Sequence, residues 1–561
     1  MRTISMAGLI LIALSAIWGA TLAVDETAAL YRLALIGAGI ALFFVVQRAP
    51  AELLQALLLP LSALVLYFLV SAPWADRIGR FAPLDPLYQA LSAATLPFGL
   101  PPLPVYFNTM AGVLIITLAL QNAAREEAQS SVGKFGWGAV CAVTAVALAL
   151  TLSRSALFAV AVVGALAAMW AVRERMPNRY AKHIVWAAPL ALARLVTSGG
   201  RGDALAEALG SARGAAPDVA ALVGDYWLTG VGFDAFPMAL SSYALLTTVP
   251  FLAHPFSLYA ALLLNHGAFG LIGFVLLSIG ALVAGWIEHE RGVEGSAWLR
   301  AGGYALSAVL VLGFFDDPFH GDVHFLPLLF VPAALLLRTT ALSNAFDALS
   351  RMLKQVDAMT AAGGGARVVE SNGPVSILRT TPRAFALALG IVALGMGVIW
   401  LRPAWRGAAL ASLGAVAQSR YELRAFDDGS EWGLQDALRA ASPAQLGASI
   451  SLYRQALALN PALVSANRRL GQIELAQGFD AAACERLDRA YQLSPDRASV
   501  LLSGECIALA GDTDGAARRW ATVTYRDQAL SHRYNWYATF KKDAARAELL
   551  RVAMDRVGVT P

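Results

Sequence analysis

The stretch ISMAGLILIALSAIWGATLAV, from Ile4 to Val24, runs for 21 residues without a charge. A helix of that length, rising 1.5 Å per residue, covers the roughly 30 Å hydrocarbon core of a bilayer. No small-residue cleavage site precedes Asp25-Glu26 and further apolar runs follow at once, so the stretch is expected to stay as a membrane anchor rather than leave as a signal peptide. Working outward, runs of comparable length fall near residues 29–47, 52–70, 105–122, 136–152, 155–172, 182–197, 257–287, 298–315, 323–338 and 384–401, which makes about eleven spans. The composition agrees: 57% hydrophobic and 15% charged in 561 residues, with mean hydropathy +0.57, excludes an ordinary soluble enzyme. The expected fold class is therefore all-α, a polytopic membrane domain over residues 1–402 followed by a second helical domain over 403–561.

Net charge is +4 and scattered, so no nucleic-acid partner is expected. Its distribution among the loops is informative. With a cytoplasmic N-terminus, sixteen Lys and Arg from Arg2 and Arg48 through to Arg379 and Arg383 lie on inner loops, against Arg77, Arg80, Arg154, Arg201 and Arg213 outside. That asymmetry follows the positive-inside rule, and an odd number of spans puts the tail outside, in a bacterium the periplasm. Two outer segments are long enough to require a purpose: the proline- and aromatic-rich 71–104, suited to an interfacial or re-entrant stretch, and the loop 198–256. The inner stretch 340–382, with Gly363-Gly364-Gly365, reads as a flexible linker.

The tail repeats itself. Tyr453-Arg-Gln-Ala-Leu-Ala-Leu-Asn-Pro461 recurs as Leu487-Asp-Arg-Ala-Tyr-Gln-Leu-Ser-Pro495, 34 residues later, and Ile473, Leu475 and Ala476 recur as Ile507, Leu509 and Ala510. A 34-residue period of two helices with proline at the turn resembles the tetratricopeptide repeat, over two to three copies. Such helix pairs commonly present a surface to a protein partner and carry no chemistry of their own, the alternative being a packing cap on the membrane domain. Three cysteines occur, Cys141, Cys484 and Cys506, with no spacing suited to a metal. Cys484 and Cys506 fall on adjacent expected helices, and a disulfide between them is left open.

Polar groups at outer membrane edges are the places to look for chemistry. Thr151-Leu-Ser-Arg154-Ser-Ala156 makes a tight outer turn between apolar runs and puts an arginine at the surface. Ser198-Gly-Gly-Arg201-Gly-Asp203 and Arg213 lead into Asp225-Tyr-Trp-Leu-Thr-Gly230-Val-Gly232-Phe-Asp-Ala-Phe236. There the glycines allow close backbone approach, and Phe233 and Phe236 are expected to anchor the loop in the interface. Ala253-His254-Pro-Phe-Ser257 opens a span that continues through Asn265-His266-Gly267-Ala-Phe-Gly270. Imidazole is the side chain best suited to proton transfer near neutral pH, which makes His254 a candidate base and His266 a second titrating group close by.

Taken together and in this order, these segments over residues 150–275 resemble the bacterial O-antigen ligase and polymerase superfamily, and Phe315-Asp-Asp-Pro-Phe-His320 is similar to a further turn of that family. The resemblance implies a glycosyltransferase of the bacterial inner membrane that needs no metal or other cofactor. It would move a glycan from an undecaprenyl-diphosphate carrier to the hydroxyl of a glycan, lipid or protein acceptor at the periplasmic face. It further implies Arg154 and Arg213 as phosphate-binding arginines, with Arg201 as the alternative to Arg213, and His254 as the base. Two departures stand out: Pro255 follows the histidine where many ligases have asparagine, and His266 precedes the glycine where an acidic residue is common. The adjacent Asp316 and Asp317 cannot flank one bond from both sides, which argues against a two-carboxylate hydrolase. Transport of lipid-linked sugar would favour internal repeats or helices broken at mid-membrane. A membrane-anchored assembly scaffold would not need so many spans.

Overall fold

The computed structural model describes residues 1–93, 106–175, 216–244, 246, 252–290, 296–320, 322–338, 376–424, 434–441, 443–523 and 526–560. Every regular element among them is helical. In chain order these are α1 (Arg2–Leu22), α2 (Glu26–Arg48), α3 (Ala51–Ser71), α4 (Asp85–Ala93), α5 (Phe107–Glu127), α6 (Ser131–Leu150) and α7 (Arg154–Arg175). Next come α8 (Ala216–Tyr226), α9 (Phe236–Ala244), α10 (Leu258–Glu290), α11 (Ser296–Leu312), α12 (Val331–Leu336), α13 (Ser376–Leu401) and α14 (Pro403–Arg424). The chain closes with α15 (Leu434–Ala441), α16 (Gly447–Leu459), α17 (Val464–Gln477), α18 (Asp480–Leu493), α19 (Arg497–Leu509), α20 (Thr513–Trp520), α21 (Asp527–Asn535) and α22 (Ala544–Arg556).

Seven helices among the described residues are long and apolar enough to cross a membrane: α1, α2, α3, α5, α6, α10 and the Pro382–Leu401 part of α13. The expected spans at 155–172, 298–315 and 323–338 correspond to the shorter apolar helices Arg154–Ala168, Ala297–Leu312 and Val323–Leu336, and the run 182–197 lies outside the described residues. The last of these short helices has a local cause. Pro327 and Pro332 withhold backbone donors, so Val323–Phe330 winds as a 3-10 helix and only Val331–Leu336 is α.

The chain divides into two compact units. The first comprises Met1–Ile10, Ala34–Ser211 and Phe274–Leu387. Its centre is α5, which buries Met110, Ala111, Val113, Leu114 and Ile116 against α3, α6, α7 and α11. Small residues let the backbones close up: Gly302 faces Leu335 and Pro332, and Gly112 faces Pro318 so tightly that an added Cβ would stand 2.7 Å from the proline Cβ.

The second unit comprises Leu11–Leu33, Ala212–Gly273 and Ala388–Pro561. Its C-terminal part is a series of short helices, of which alternate members start at Gly447, Asp480 and Thr513, 33 residues apart, close to the sequence period. At two crossings the same repeat position is a glycine packed on a large side chain. An added Cβ would stand 2.8 Å from Leu487 at Gly471 and 2.2 Å from Trp520 at Gly504. The disulfide left open by the sequence is present, joining Cys484 on α18 to Cys506 on α19.

Loop helices α8 and α9 pack on α14, and α9 also meets α19. On α8, Asp218 is pushed up to about 6 because burial outweighs the attraction of Arg497, with Asp496 adding repulsion. A carboxyl raised on folding binds its proton more tightly in the native state, so stability falls as pH rises from about 4 to about 6 and the full cost persists above that. The melting temperature of Asp218→Asn relative to the parent protein is therefore expected to be higher at pH 8 than at pH 4, read by thermal unfolding of the purified chain. An equal difference at both pH values would contradict this.

Candidate functional site

In the first unit, the turn bearing Arg154 is built by its own hydroxyls. Thr151 Oγ1 donates to the Leu148 carbonyl at 2.7 Å and accepts from the Ser153 amide at 3.2 Å, while Leu152 takes φ 47° and lets α7 start at Arg154. Arg154 is exposed, whereas Ser153 and Ser155 on either side are buried. Tyr88 donates to the Leu150 carbonyl at 3.0 Å and stacks on Trp74, so the segment 73–93 buttresses this turn.

The second turn, Phe315–His320, meets it. Ser155 Oγ donates to Asp316 Oδ2 at 3.4 Å, and Phe158 sets its edge to Phe315 with ring centres 5.5 Å apart. Asp316 Oδ1 accepts from the Asp317 amide at 2.8 Å. Asp317 Oδ1 in turn accepts from the His320 amide and lies 3.1 Å from its Nδ1. Asp316, Asp317 and His320 are all buried. Two segments some 160 positions apart in sequence thus meet through buried polar contacts beside an exposed arginine.

In the second unit, the Gly230-Val-Gly232 corner is seated on a break in α10. Gly267 interrupts that helix with φ 70° and ψ −174°. The freed backbone groups find partners in the corner: the Val231 amide donates to the Leu264 carbonyl at 2.7 Å and the Ala268 amide to the Leu228 carbonyl at 3.2 Å. A broken helix in an apolar environment requires such replacement bonds. The fit leaves no room for a side chain on either partner, since an added Cβ at Gly267 would stand 2.4 Å from Leu228 O, and one at Gly230 would stand 2.7 Å from Leu264 O. Gly267→Ala is expected to cost about 1–3 kcal/mol from the backbone conformation alone. A melting temperature of the detergent-purified variant equal to that of the parent would contradict the tight joint.

A buried polar network fills this joint. Arg32 on α2 pairs with Asp234, donates to Asn265 Oδ1 at 3.2 Å and lies over the Phe233 ring at 5.7 Å. Asn265 also donates to the Ala261 carbonyl at 2.9 Å. His266 Nδ1 is 3.4 Å from Ser15 Oγ, and its ring stands edge-on to Phe233 at 5.1 Å. Two expectations change here. Phe233 and Phe236 are 0% and 3% exposed and so are not interfacial anchors; they serve as packing for Arg32, His266 and the α8–α9 core. Arg32, inside the run read as a span, belongs to the polar centre that the sequence reading missed.

His254 lies in the same unit as this network, half-buried on the segment that enters α10, with its ring 5.0 Å from Phe256, which takes φ 35°. Arg154 belongs to the first unit, and Arg201 and Arg213 lie outside the described residues. Among the described residues no group of three or more His, Cys, Asp or Glu is placed to hold a metal ion. The chain matches no protein-family description, no curated protein and no solved structure.

Proposed function

We propose that this chain is an integral membrane glycosyltransferase of the O-antigen ligase and polymerase type, working at the periplasmic face of a bacterial inner membrane. The observation that carries the reading is the joint just described: Gly230-Val-Gly232 and Asn265-His266-Gly267, two of the segments on which the resemblance rests, are locked together by backbone contacts around a buried arginine. The eleven-span topology with an inside N-terminus and an outside tetratricopeptide-like tail belongs to the same proposal. The Cys484–Cys506 disulfide supports the outside tail, since such bonds persist in oxidising compartments.

In the proposed reaction Arg154 and Arg213, or Arg201 in its place, hold the donor's diphosphate. An acceptor hydroxyl oxygen attacks the anomeric carbon, the bond from that carbon to the diphosphate breaks with its electron pair leaving on the diphosphate, and His254 takes the hydroxyl proton. Fixed guanidiniums at a low-dielectric edge stabilise the growing diphosphate charge more in the transition state than before it. The test in cells is deletion of the protein. Undecaprenyl-diphosphate glycan should accumulate at the periplasmic face while the finished glycoconjugate disappears. No accumulation there would contradict the proposal.

One observation favours a second reading, transport of lipid-linked sugar: α10 is broken at Gly267 beside buried Arg32 and Asn265, the kind of interrupted helix that lines transporter sites. On that reading, deletion strands the same lipid on the cytoplasmic face.

A further inference from the structure

Three groups on α8 take no part in the proposed chemistry yet are buried: Asp218, Asp225 and Tyr226. Their partners are all on the C-terminal helices. Asp225 Oδ2 accepts from Arg468 and, at 2.7 Å, from Arg469 Nε. Arg468 also donates to Tyr243 on α9 at 2.9 Å, and Arg469 donates to Tyr226 at 2.9 Å. Arg497 lies 3.1 Å from Asp218. The Asp225 and Arg468 side chains are 3% and 2% exposed. Taking such charges out of water costs several kcal/mol each unless the geometry is good, so two arginines on one buried aspartate mark a built joint. Apolar contact continues it, with Leu222, Tyr226 and Leu240 in one core with Ala415, Val416 and Ala498.

The position of this joint in the chain gives it a consequence. The Gly230 amide donates to the Tyr226 carbonyl at 2.8 Å, so the end of α8 runs straight into the Gly230-Val-Gly232 corner that caps the break at Gly267. We infer that the C-terminal repeats are an internal clamp: Arg468, Arg469 and Arg497 hold Asp225 and Asp218 on the chain's own outer loop and so position that corner on α10. The face carrying these arginines is thereby filled from within the same chain and is not the docking surface for a separate protein. Asp225 is a positioning residue. Only the kinetic part of its test rests on the proposed function.

The test is hydrogen exchange on the full-length protein in nanodiscs, read at the two amides that bridge the joint, Val231 and Ala268. Asp225→Asn is expected to speed exchange at both at least about tenfold while leaving α18 protected. A double variant, Asp218→Asn with Arg497→Gln, removes the outer pair without burying a lone charge; it is expected to show the same change more weakly, should Asp225→Asn not fold. In a transfer assay, Asp225→Asn should lower kcat about tenfold with KM for the lipid donor little changed. Unchanged exchange at Val231 and Ala268 in both variants would overturn the clamp, whatever the activity. If the parent protein transfers no glycan, the proposed function fails while the exchange result still decides the clamp.

Discussion

Changing Arg154 to alanine is expected to reduce glycan transfer at least as severely as changing His254, and His254→Ala is expected to lower it by about 10²–10⁴-fold. The ordering follows from what each group does in the proposed reaction. A general base shares one proton, whereas an arginine on the diphosphate stabilises the charge that develops as the leaving group departs, and electrostatic stabilisation of that kind is usually the largest single contribution. Arg154 is well placed to be specific to function: it is exposed at a turn whose hydroxyls, Thr151 and Ser153, and whose contact to Asp316 through Ser155 do not depend on it. Initial rates with a saturating lipid-linked donor check the prediction, and full activity in Arg154→Ala would remove that residue from the mechanism.

Glu505→Ala is expected to be the most damaging single change in the C-terminal repeats, at about 3–5 kcal/mol, because it leaves a buried guanidinium short of its counter-charge. Glu505 is fully buried and accepts from Arg533 through both oxygens, at 2.7 and 2.8 Å, and from the Tyr537 hydroxyl at 2.8 Å. The same arginine also bonds Asp436, whose carboxyl is held well below the usual carboxylate range: the pull of Arg533, Arg439 and His532 overcomes the burial that would raise it. Asp436 thus contributes stability above the unfolded carboxylate pKa near 4, and that contribution is lost as pH falls below it. Hydrogen exchange across α19 and α21 in the full chain measures the loss, with Glu505→Gln expected to lose less because it retains shape and hydrogen bonding. A change under about 1 kcal/mol for the alanine variant would show that Arg533 is satisfied without Glu505.

The apolar runs were legible because each is set off by charged or proline-bearing turns, and ten of them coincide with apolar helices. The helix pairs were legible because Pro461 and Pro495 punctuate them at a fixed offset. What escaped is what composition hides. Gly267 follows Asn265-His266 inside a long apolar run, a polar interruption that does not by itself specify a break; the break is matched by a second segment, Gly230-Val-Gly232, that supplies backbone partners. Arg32 was absorbed into the run 29–47, although a charge inside such a run is itself a signal of a polar centre. Phe233 and Phe236 look like interfacial aromatics by type, but Phe233 packs against Arg32 and His266 from other helices and Phe236 lies in the α8–α9 core. The partners of Asp225 lie some 240 positions away, beyond any local pattern.

Transfer from a lipid diphosphate is measured most directly with purified full-length protein in EDTA. It is supplied with a defined undecaprenyl-diphosphate oligosaccharide and a set of glycan, lipid and peptide acceptors, and the products are identified by mass. Release of undecaprenyl diphosphate together with an elongated or ligated glycan is expected, lost in both Arg154→Ala and His254→Ala. Donor that stays intact with every acceptor, or transfer that survives in both variants, would contradict it.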